Sequence, residues 1–135
     1  MRLAIEVPAA WESVARLIGF ADDAEQALAL NADQTYLLRL VIEEITTNII
    51  KYGFAGTQGV ISLACQSDDE RLQIVVRDNG RPFDPLSAPQ PDLSDDPSNR
   101  VAGGLGLYFV RQFADLLAHQ RDEQGWNELV IVKSR

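Results

Sequence analysis

The chain has 135 residues, of which 46% are hydrophobic and 24% charged, so it suits one domain around one packed core and leaves no room for a second catalytic domain. Its formal net charge is −8 and its 12 Lys and Arg residues are scattered, which argues against direct binding of DNA or RNA. No run is long and apolar enough for a membrane span and no signal-peptide pattern opens the chain, so we expect a cytoplasmic protein without a membrane partner.

The first part of the chain predicts one strand and two helices. Residues 2–7 alternate weakly between apolar and polar side chains, as a strand does, and residues 10–30 carry apolar side chains at helical spacing. Asp33 is the expected N-cap of a second helix over about 34–52, which Gly53 ends. This helix is apolar nearly all round, so we expect it to be largely buried.

A β-hairpin is predicted next. Residues 60–66 and 72–78 are rich in β-forming side chains and are joined by a polar turn. Side chains of a strand alternate between its two faces, so Asp78 should lie on the core side with the apolar residues two, four and six positions before it. Cys65 should be a buried strand residue. As the only cysteine, it excludes an intramolecular disulfide, and with a single histidine it argues against a structural zinc site.

The last part of the chain predicts a long loop, a helix and a second hairpin. Residues 80–103 lack any periodic pattern and hold five of the six prolines. A loop of this length inside a domain is typical of a functional lid, with a disordered insertion as the alternative. Glycine-rich residues then open a third helix over about 105–118. The runs 119–124 and 127–133 predict a terminal hairpin that includes His119, expected at the surface.

Glu44 and Asn48 are the first candidates for chemistry. They lie four residues apart on the apolar second helix and therefore share a face. Polar side chains in such a row need partners, and a hydrogen bond to the backbone is the structural alternative. An amide oxygen suits Mg²⁺, and a carboxylate one turn away could position or deprotonate a nucleophile. Glu43 points about 100° away and is the weaker candidate.

Asp78 and Gly80 form the second candidate group. An Asp-Asn-Gly sequence is ordinary turn chemistry, which is the structural alternative. A core-facing carboxylate at a strand end could instead accept a hydrogen bond from the exocyclic amine of adenine. Gly80 would let the ring approach the backbone.

The third group is the glycine-rich helix start at residues 103–107. Exposed N–H groups and the helix dipole make such a terminus an anion site, although a flexible connection is the alternative. In chain order, the sequence thus offers a metal ligand, a base reader and a phosphate cradle. Their combination indicates a nucleotide site.

These motifs resemble those of the GHKL ATPases. Glu44-Ile-Thr-Thr-Asn48 resembles their N box, and Gly103-Gly104-Leu105-Gly106-Leu107 resembles their second glycine box. Asp78-Asn-Gly80-Arg-Pro-Phe83-Asp84-Pro85 resembles their first glycine box, in the Asp-x-Gly-x-x-Phe-Asp-Pro form of the anti-sigma-factor serine/threonine kinases. The resemblance runs from about residue 35 to the C-terminus and identifies the chain as a member of that branch.

The resemblance implies an α+β fold, namely a two-layer α/β sandwich of the Bergerat ATP-binding type, with a mixed, mostly antiparallel sheet and helices on one face. It implies one such domain over residues 1–135, with an ATP lid at about 80–103. ATP and Mg²⁺ would bind between sheet, lid and helices.

The resemblance also implies a role for each candidate residue. Asn48 would hold Mg²⁺, and Glu44 would be the general base for an incoming serine or threonine. Asp78 would read adenine with Gly80 beside it. The phosphates would bind through the N–H groups of Gly104, Leu105, Gly106 and Leu107.

Members of this branch phosphorylate a STAS-domain anti-sigma-factor antagonist, and they bind a sigma factor or another target when that antagonist is phosphorylated. Many are homodimers, so a homodimer is one expectation. Three positions depart from the family pattern. Tyr52 stands where many members have histidine, Arg100 is the nearest arginine before the second glycine box, and Asn127 stands where members often carry threonine.

Other functions remain open from the sequence. The chain could be an ATP-binding module that sequesters a partner without phosphotransfer. The catalytic domain of a histidine kinase is disfavoured, because such domains sit beside a dimerising helix with a phosphorylated histidine. A type II topoisomerase or a chaperone would need further domains.

Overall fold

The computed structural model describes residues 1–54, 58–87 and 104–135, and a five-stranded sheet with helices against one face organises them. The strands are β1 (Arg2–Pro8), β2 (Val60–Ser67), β3 (Arg71–Asp78), β4 (Leu116–Arg121) and β5 (Asn127–Ser134). The helices are α1 (Val14–Ala27), α2 (Ala32–Leu40), α3 (Thr47–Tyr52) and α4 (Gly104–Phe113), with a π-helical segment at Val41–Thr46 and short 3-10 turns at Trp11–Ser13 and Pro85–Ser87.

The strand order is β1-β2-β3-β5-β4. The expected two-layer α+β architecture is confirmed. All four pairings among the described strands are antiparallel, so the sheet within these residues is not mixed as expected. Two of the pairings, β2 with β3 and β4 with β5, are the predicted hairpins, which are antiparallel by construction.

The core lies between the sheet and the helices. Every second residue of β3 is buried, as the alternation predicted: Leu72, Ile74, Val76 and Asp78. Cys65 is fully buried on β2, also as predicted, and its burial raises the pKa of the thiol to about 12. Strand alternation therefore carries Asp78 to the helix-facing side of the sheet.

The second predicted helix runs without a break through α2, the π-helical segment and α3, but it begins earlier than expected. Its N-cap is Asn31, not Asp33: the Asn31 side chain accepts from the N–H of Gln34 at 2.8 Å, and the Gln34 side chain accepts from the N–H of Asn31 at 3.1 Å. This reciprocal pair satisfies two N–H groups that the helix cannot. Asp33 lies exposed within the first turn.

The π-helical segment was not anticipated, because a regular helix was predicted across it. Thr46 and Thr47 donate their hydroxyls to the carbonyls of Ile42 and Glu43, one turn back. Side-chain donors at these carbonyls compete with the regular i→i−4 backbone ladder. The segment holds Glu44, and single π-turns of this kind are frequent at functional sites.

The third helix ends earlier than the predicted 105–118. α4 stops at Phe113, and the N–H of Asp115 already bonds to the Val132 carbonyl of β5 at 2.8 Å. β4 therefore starts at Leu116 rather than 119. His119 is half-buried rather than at the surface, and its Nε2 has no hydrogen-bond partner among the residues described.

The two remaining expectations concern the lid and membrane-spanning helices. Residues 88–103, which include Arg100 and most of the proposed lid, lie outside the described residues. None of the helices in the described ranges combines the length and apolar character needed to cross a membrane.

Candidate functional site

Glu44 and Gly106 are brought into contact, although 62 positions of sequence separate them. Glu44 is half-buried in the π-helical segment, and Gly106 lies in the first turn of α4. A Cβ built on Gly106 would overlap the carboxyl group and Cγ of Glu44. Only glycine leaves this space to the carboxylate, so the glycine-rich helix start and the acid belong to one site.

The Glu44 carboxylate makes no hydrogen bond or ion pair with any residue that the structure describes. Desolvation by its surroundings, with a smaller contribution from the nearby negative charge of Glu43, raises its pKa above the ordinary value. A carboxylate without a partner among the described residues, which holds its proton more readily than usual, suits proton transfer.

Asn48 lies on α3 and is half-buried. No described residue bonds to its amide group, so the backbone hydrogen bond offered as the structural alternative is not found within the described ranges. Its side-chain oxygen is therefore not engaged by any residue of the described ranges. Asn48 and Glu44 stand on the same continuous helix, which ends at Gly53 as predicted.

Asp78 is only 2% exposed and stands at the end of β3. Its Oδ1 accepts from the N–H of Gly80 and from Nδ2 of Asn127, both at 3.0 Å. Desolvation raises its pKa, and these two hydrogen bonds oppose the shift. Its Oδ2 accepts no hydrogen bond from the part of the chain that the structure describes, which leaves one acceptor for a ligand.

Gly80 connects this carboxylate to the helix that carries Asn48. A Cβ on Gly80 would lie 2.5 Å from the Gly53 carbonyl oxygen, and the same carbonyl accepts from the N–H of Arg81 at 3.0 Å. The Arg81 side chain donates to the Tyr52 carbonyl at 2.7 Å. Only a glycine at position 80 allows the turn after β3 to pack this closely against the end of α3.

Tyr52, where the family often has histidine, packs against Phe83, with ring centroids 5.8 Å apart. Asp84 accepts from the N–H of Leu86 at 2.8 Å, and Arg111 of α4 donates to the Leu86 carbonyl. The Phe-Asp-Pro stretch is thus attached at one end to α3 and at the other to α4. These contacts fix the start of the proposed lid.

Asn127 and Arg121 were not assigned a role from the sequence. Asn127 is 2% exposed, and besides Asp78 its Nδ2 bonds to the Arg81 carbonyl at 2.8 Å. Arg121 donates from Nη1 to Asn127 Oδ1 at 3.0 Å and to the Gly80 carbonyl at 3.2 Å. The strand register pairs Asp78 with Asn127 and Asn127 with Arg121. Alignment of the two predicted hairpins in this register would therefore have placed Asn127 and Arg121 beside Asp78.

α4 begins at Gly104, as the glycine-rich motif predicted. The N–H groups of a first helical turn lack partners within the helix and face an incoming anion. The Leu107 side chain is buried in the core at 1% exposure, so only its backbone could contribute to a phosphate site. Gly103 lies outside the described residues.

The chain is similar to known proteins over most of its length. Residues 7–133 match the family described as "Histidine kinase-like ATPase domain". The chain is 30% identical over 115 residues to the serine-protein kinases RsbW of Bacillus cereus and Bacillus thuringiensis subsp. konkukian, an alignment that covers 82% of this chain and 65% of each relative. It is 30% identical over 91 residues to the RsbW of Listeria monocytogenes, covering 64% of this chain and 58% of that relative.

The alignments span less than two thirds of the length of these curated relatives. The family match, in contrast, covers nearly the whole chain and includes every candidate residue described above. Asp78 at the end of β3, the glycine-rich start of α4 and Glu44 in contact with Gly106 all lie within the matched residues. This chain belongs to the histidine kinase-like ATPase domain family.

Proposed function

We propose that the protein is an ATP-dependent serine/threonine protein kinase of the anti-sigma-factor type. It would transfer the γ-phosphoryl group of ATP to a serine or threonine of a STAS-domain antagonist and regulate transcription by exchanging that antagonist for a sigma factor or another target. The similarity to serine-protein kinases RsbW supports this proposal. The proposal includes action in the cytoplasm and as a homodimer, without direct contact to nucleic acid.

The observation that carries the proposal is the Glu44 carboxylate against Gly106. In the reaction, the substrate hydroxyl oxygen attacks the γ-phosphorus, the bond from that phosphorus to the bridging oxygen breaks, and ADP leaves. The hydroxyl proton goes to Glu44, whose raised pKa makes the carboxylate a better base. Since α4 begins beside Glu44, phosphate oxygens on its N–H groups would lie near the base.

Adenine recognition falls to Asp78 and Gly80 in this proposal. The open Oδ2 of Asp78 would accept from the exocyclic amine of the base, and the Gly80 backbone would lie beside the ring. Phosphate binding falls to the N–H groups of Gly104, Leu105, Gly106 and Leu107. These N–H groups supply partial positive charge where the triphosphate is negative.

The residues present fit a magnesium ion held mainly by the nucleotide. Asn48 offers an amide oxygen that no described residue engages, and Mg²⁺ favours oxygen ligands. The described residues contain no group of three or more His, Cys, Asp or Glu side chains that could hold a metal by itself. The ion would therefore bind through Asn48 together with phosphate and water oxygens. When bound, it would neutralise charge on the phosphates.

The test uses labelled ATP, Mg²⁺ and a candidate STAS-domain protein, with phosphoserine or phosphothreonine as the readout. We expect Glu44→Gln to retain ATP binding and to lose transfer by a factor of about 100 or more. Glu43→Gln is the matched control, because Glu43 is the exposed neighbouring acid. ATP binding without transfer to any STAS protein would favour the sequestering module instead.

A further inference from the structure

The orientation of the Asn127 amide is determined by its neighbours. Arginine can only donate hydrogen bonds, so the atom of Asn127 that faces Arg121 must be the oxygen. On the other side, the NH₂ group meets two acceptors, Asp78 Oδ1 and the Arg81 carbonyl. A flipped amide would lose all three hydrogen bonds.

This fixed amide determines what Asp78 can present to a ligand. Oδ1 already accepts from Asn127 and from the Gly80 N–H, and both donors favour the ionised carboxylate. Burial raises the pKa of Asp78, and the nearby positive charge of Arg121 opposes that rise together with these donors. In its ionised form Asp78 only accepts hydrogen bonds, and Oδ2 is the oxygen that receives none from the described residues.

We propose that Asn127 and Arg121 are positioning residues that set purine selectivity, because they hold Asp78 as an acceptor for a ring with a donor at C6. The proposal rests on the function proposed above, in which Asp78 contacts the base. A purine with hydrogen at C6 gains nothing from this acceptor, and a purine with a carbonyl at C6 places one acceptor against another. The selectivity thus arises on β4 and β5, in residues that need not touch the base.

The experiment measures dissociation constants of Mg²⁺-bound ATP, purine riboside triphosphate and inosine triphosphate by titration calorimetry. The three ligands share ribose and phosphates and differ at C6 of the purine, and inosine triphosphate also carries a proton on N1. For the wild-type protein we expect ATP to bind about tenfold to a hundredfold more tightly than purine riboside triphosphate, the range for a hydrogen bond to a charged group. Inosine triphosphate should bind most weakly.

Two kinds of variant test the positioning roles. Arg121→Gln should reduce the preference for ATP over purine riboside triphosphate to about threefold or less, and Arg121→Lys should restore part of it because the charge remains. Asn127→Asp places a second carboxyl 3.0 Å from Asp78 Oδ1, so the pair retains a proton between them and Asp78 becomes a weaker acceptor for the base. This variant should bind inosine triphosphate better relative to ATP than the wild type does.

The controls lie on α1, away from the site. Arg16→Gln removes an exposed arginine and Gln26→Glu adds an exposed negative charge, and both should keep the wild-type ratios. If the site variants weaken all three ligands by the same factor, their role is structural only and the inference is wrong. A wild-type protein that binds none of the triphosphates would instead refute the ATP site. If Arg121→Gln does not fold, the Lys and Asp variants decide the question by the same ratios.

Discussion

Replacing Gly106 by alanine should separate the stability of this protein from its activity. The new methyl group would occupy the position of the Glu44 carboxyl group. Because that group is the end of a flexible side chain, the helix can accept alanine and Glu44 has to move. The variant therefore displaces the proposed base without changing its identity.

The expected effect on stability is small. Alanine is favoured over glycine in a helix by up to about 1 kcal/mol, while a side chain forced off its preferred rotamer costs about 0.5–1.5 kcal/mol. These terms nearly cancel. Gly19→Ala is the matched control, because Gly19 lies inside α1 and an added Cβ there meets nothing within 4 Å. It should gain up to about 1 kcal/mol of unfolding free energy with unchanged activity.

The expected effect on catalysis is large. A general base contributes about 100-fold to 10,000-fold, and a misplacement of about 1 Å costs on the order of 100-fold. We therefore expect phosphotransfer by Gly106→Ala to fall by about 100-fold or more, with a smaller loss of ATP affinity. Single-turnover transfer of labelled phosphate at saturating ATP measures the first quantity, and urea denaturation of both variants measures the stability.

The contact between Glu44 and Gly106 would lose its catalytic meaning if the variant folded, bound ATP and transferred phosphate at the wild-type rate. A loss of transfer of the same size in Gly19→Ala would point to a general effect of glycine replacement in helices. Either result refutes the reasoning.

Three further predictions concern single side chains. Asn31→Ala should lower the free energy of unfolding by about 1 kcal/mol through loss of the N-cap, whereas Asp33→Ala should change it by a few tenths of a kcal/mol at most; thermal melts compare the two. Asp78→Asn should keep both hydrogen bonds to Oδ1 but put an NH₂ donor in place of Oδ2, so calorimetry should show little or no ATP binding. Because the substitution also removes a buried charge, the melting temperature at neutral pH should be kept or raised. The raised pKa of Glu44 means that its contribution to stability is complete below its unfolded pKa and is lost as pH rises through the folded pKa. Glu44→Gln should therefore gain stability relative to wild type between pH 4 and pH 7, which urea titrations measure. A constant difference in unfolding free energy over that range would contradict this.

Much of the fold and the site could be predicted because short-range patterns determined them. Strand alternation correctly placed Asp78 on the core side, and glycine spacing correctly placed the start of α4. Both inferences depend on local geometry that a sequence shows directly. The resemblance to the GHKL motifs added the expectation that these separate elements share one pocket.

The misses arose where side chains compete with the backbone or where distant strands align. The sequence predicts Asp33 as the cap, whereas the reciprocal pair of Asn31 and Gln34 forms it. The π-helical segment depends on threonine hydroxyls taking backbone carbonyls, which a helical period does not show. Arg121 escaped notice because its partner Asn127 is defined by the register of the hairpin rather than by a motif.

The register that joins Asp78 to Asn127 also has a consequence for biosynthesis. β3 is synthesised before its sheet neighbour β5, because α4 and β4 lie between them in the chain. Until β5 leaves the ribosome and pairs with β3, the edge of β3 at Asp78 is solvated and the Asn127 amide does not orient the carboxylate. A nascent chain arrested before Asn127 should therefore not bind nucleotide, so ATP binding would depend on completion of the sheet.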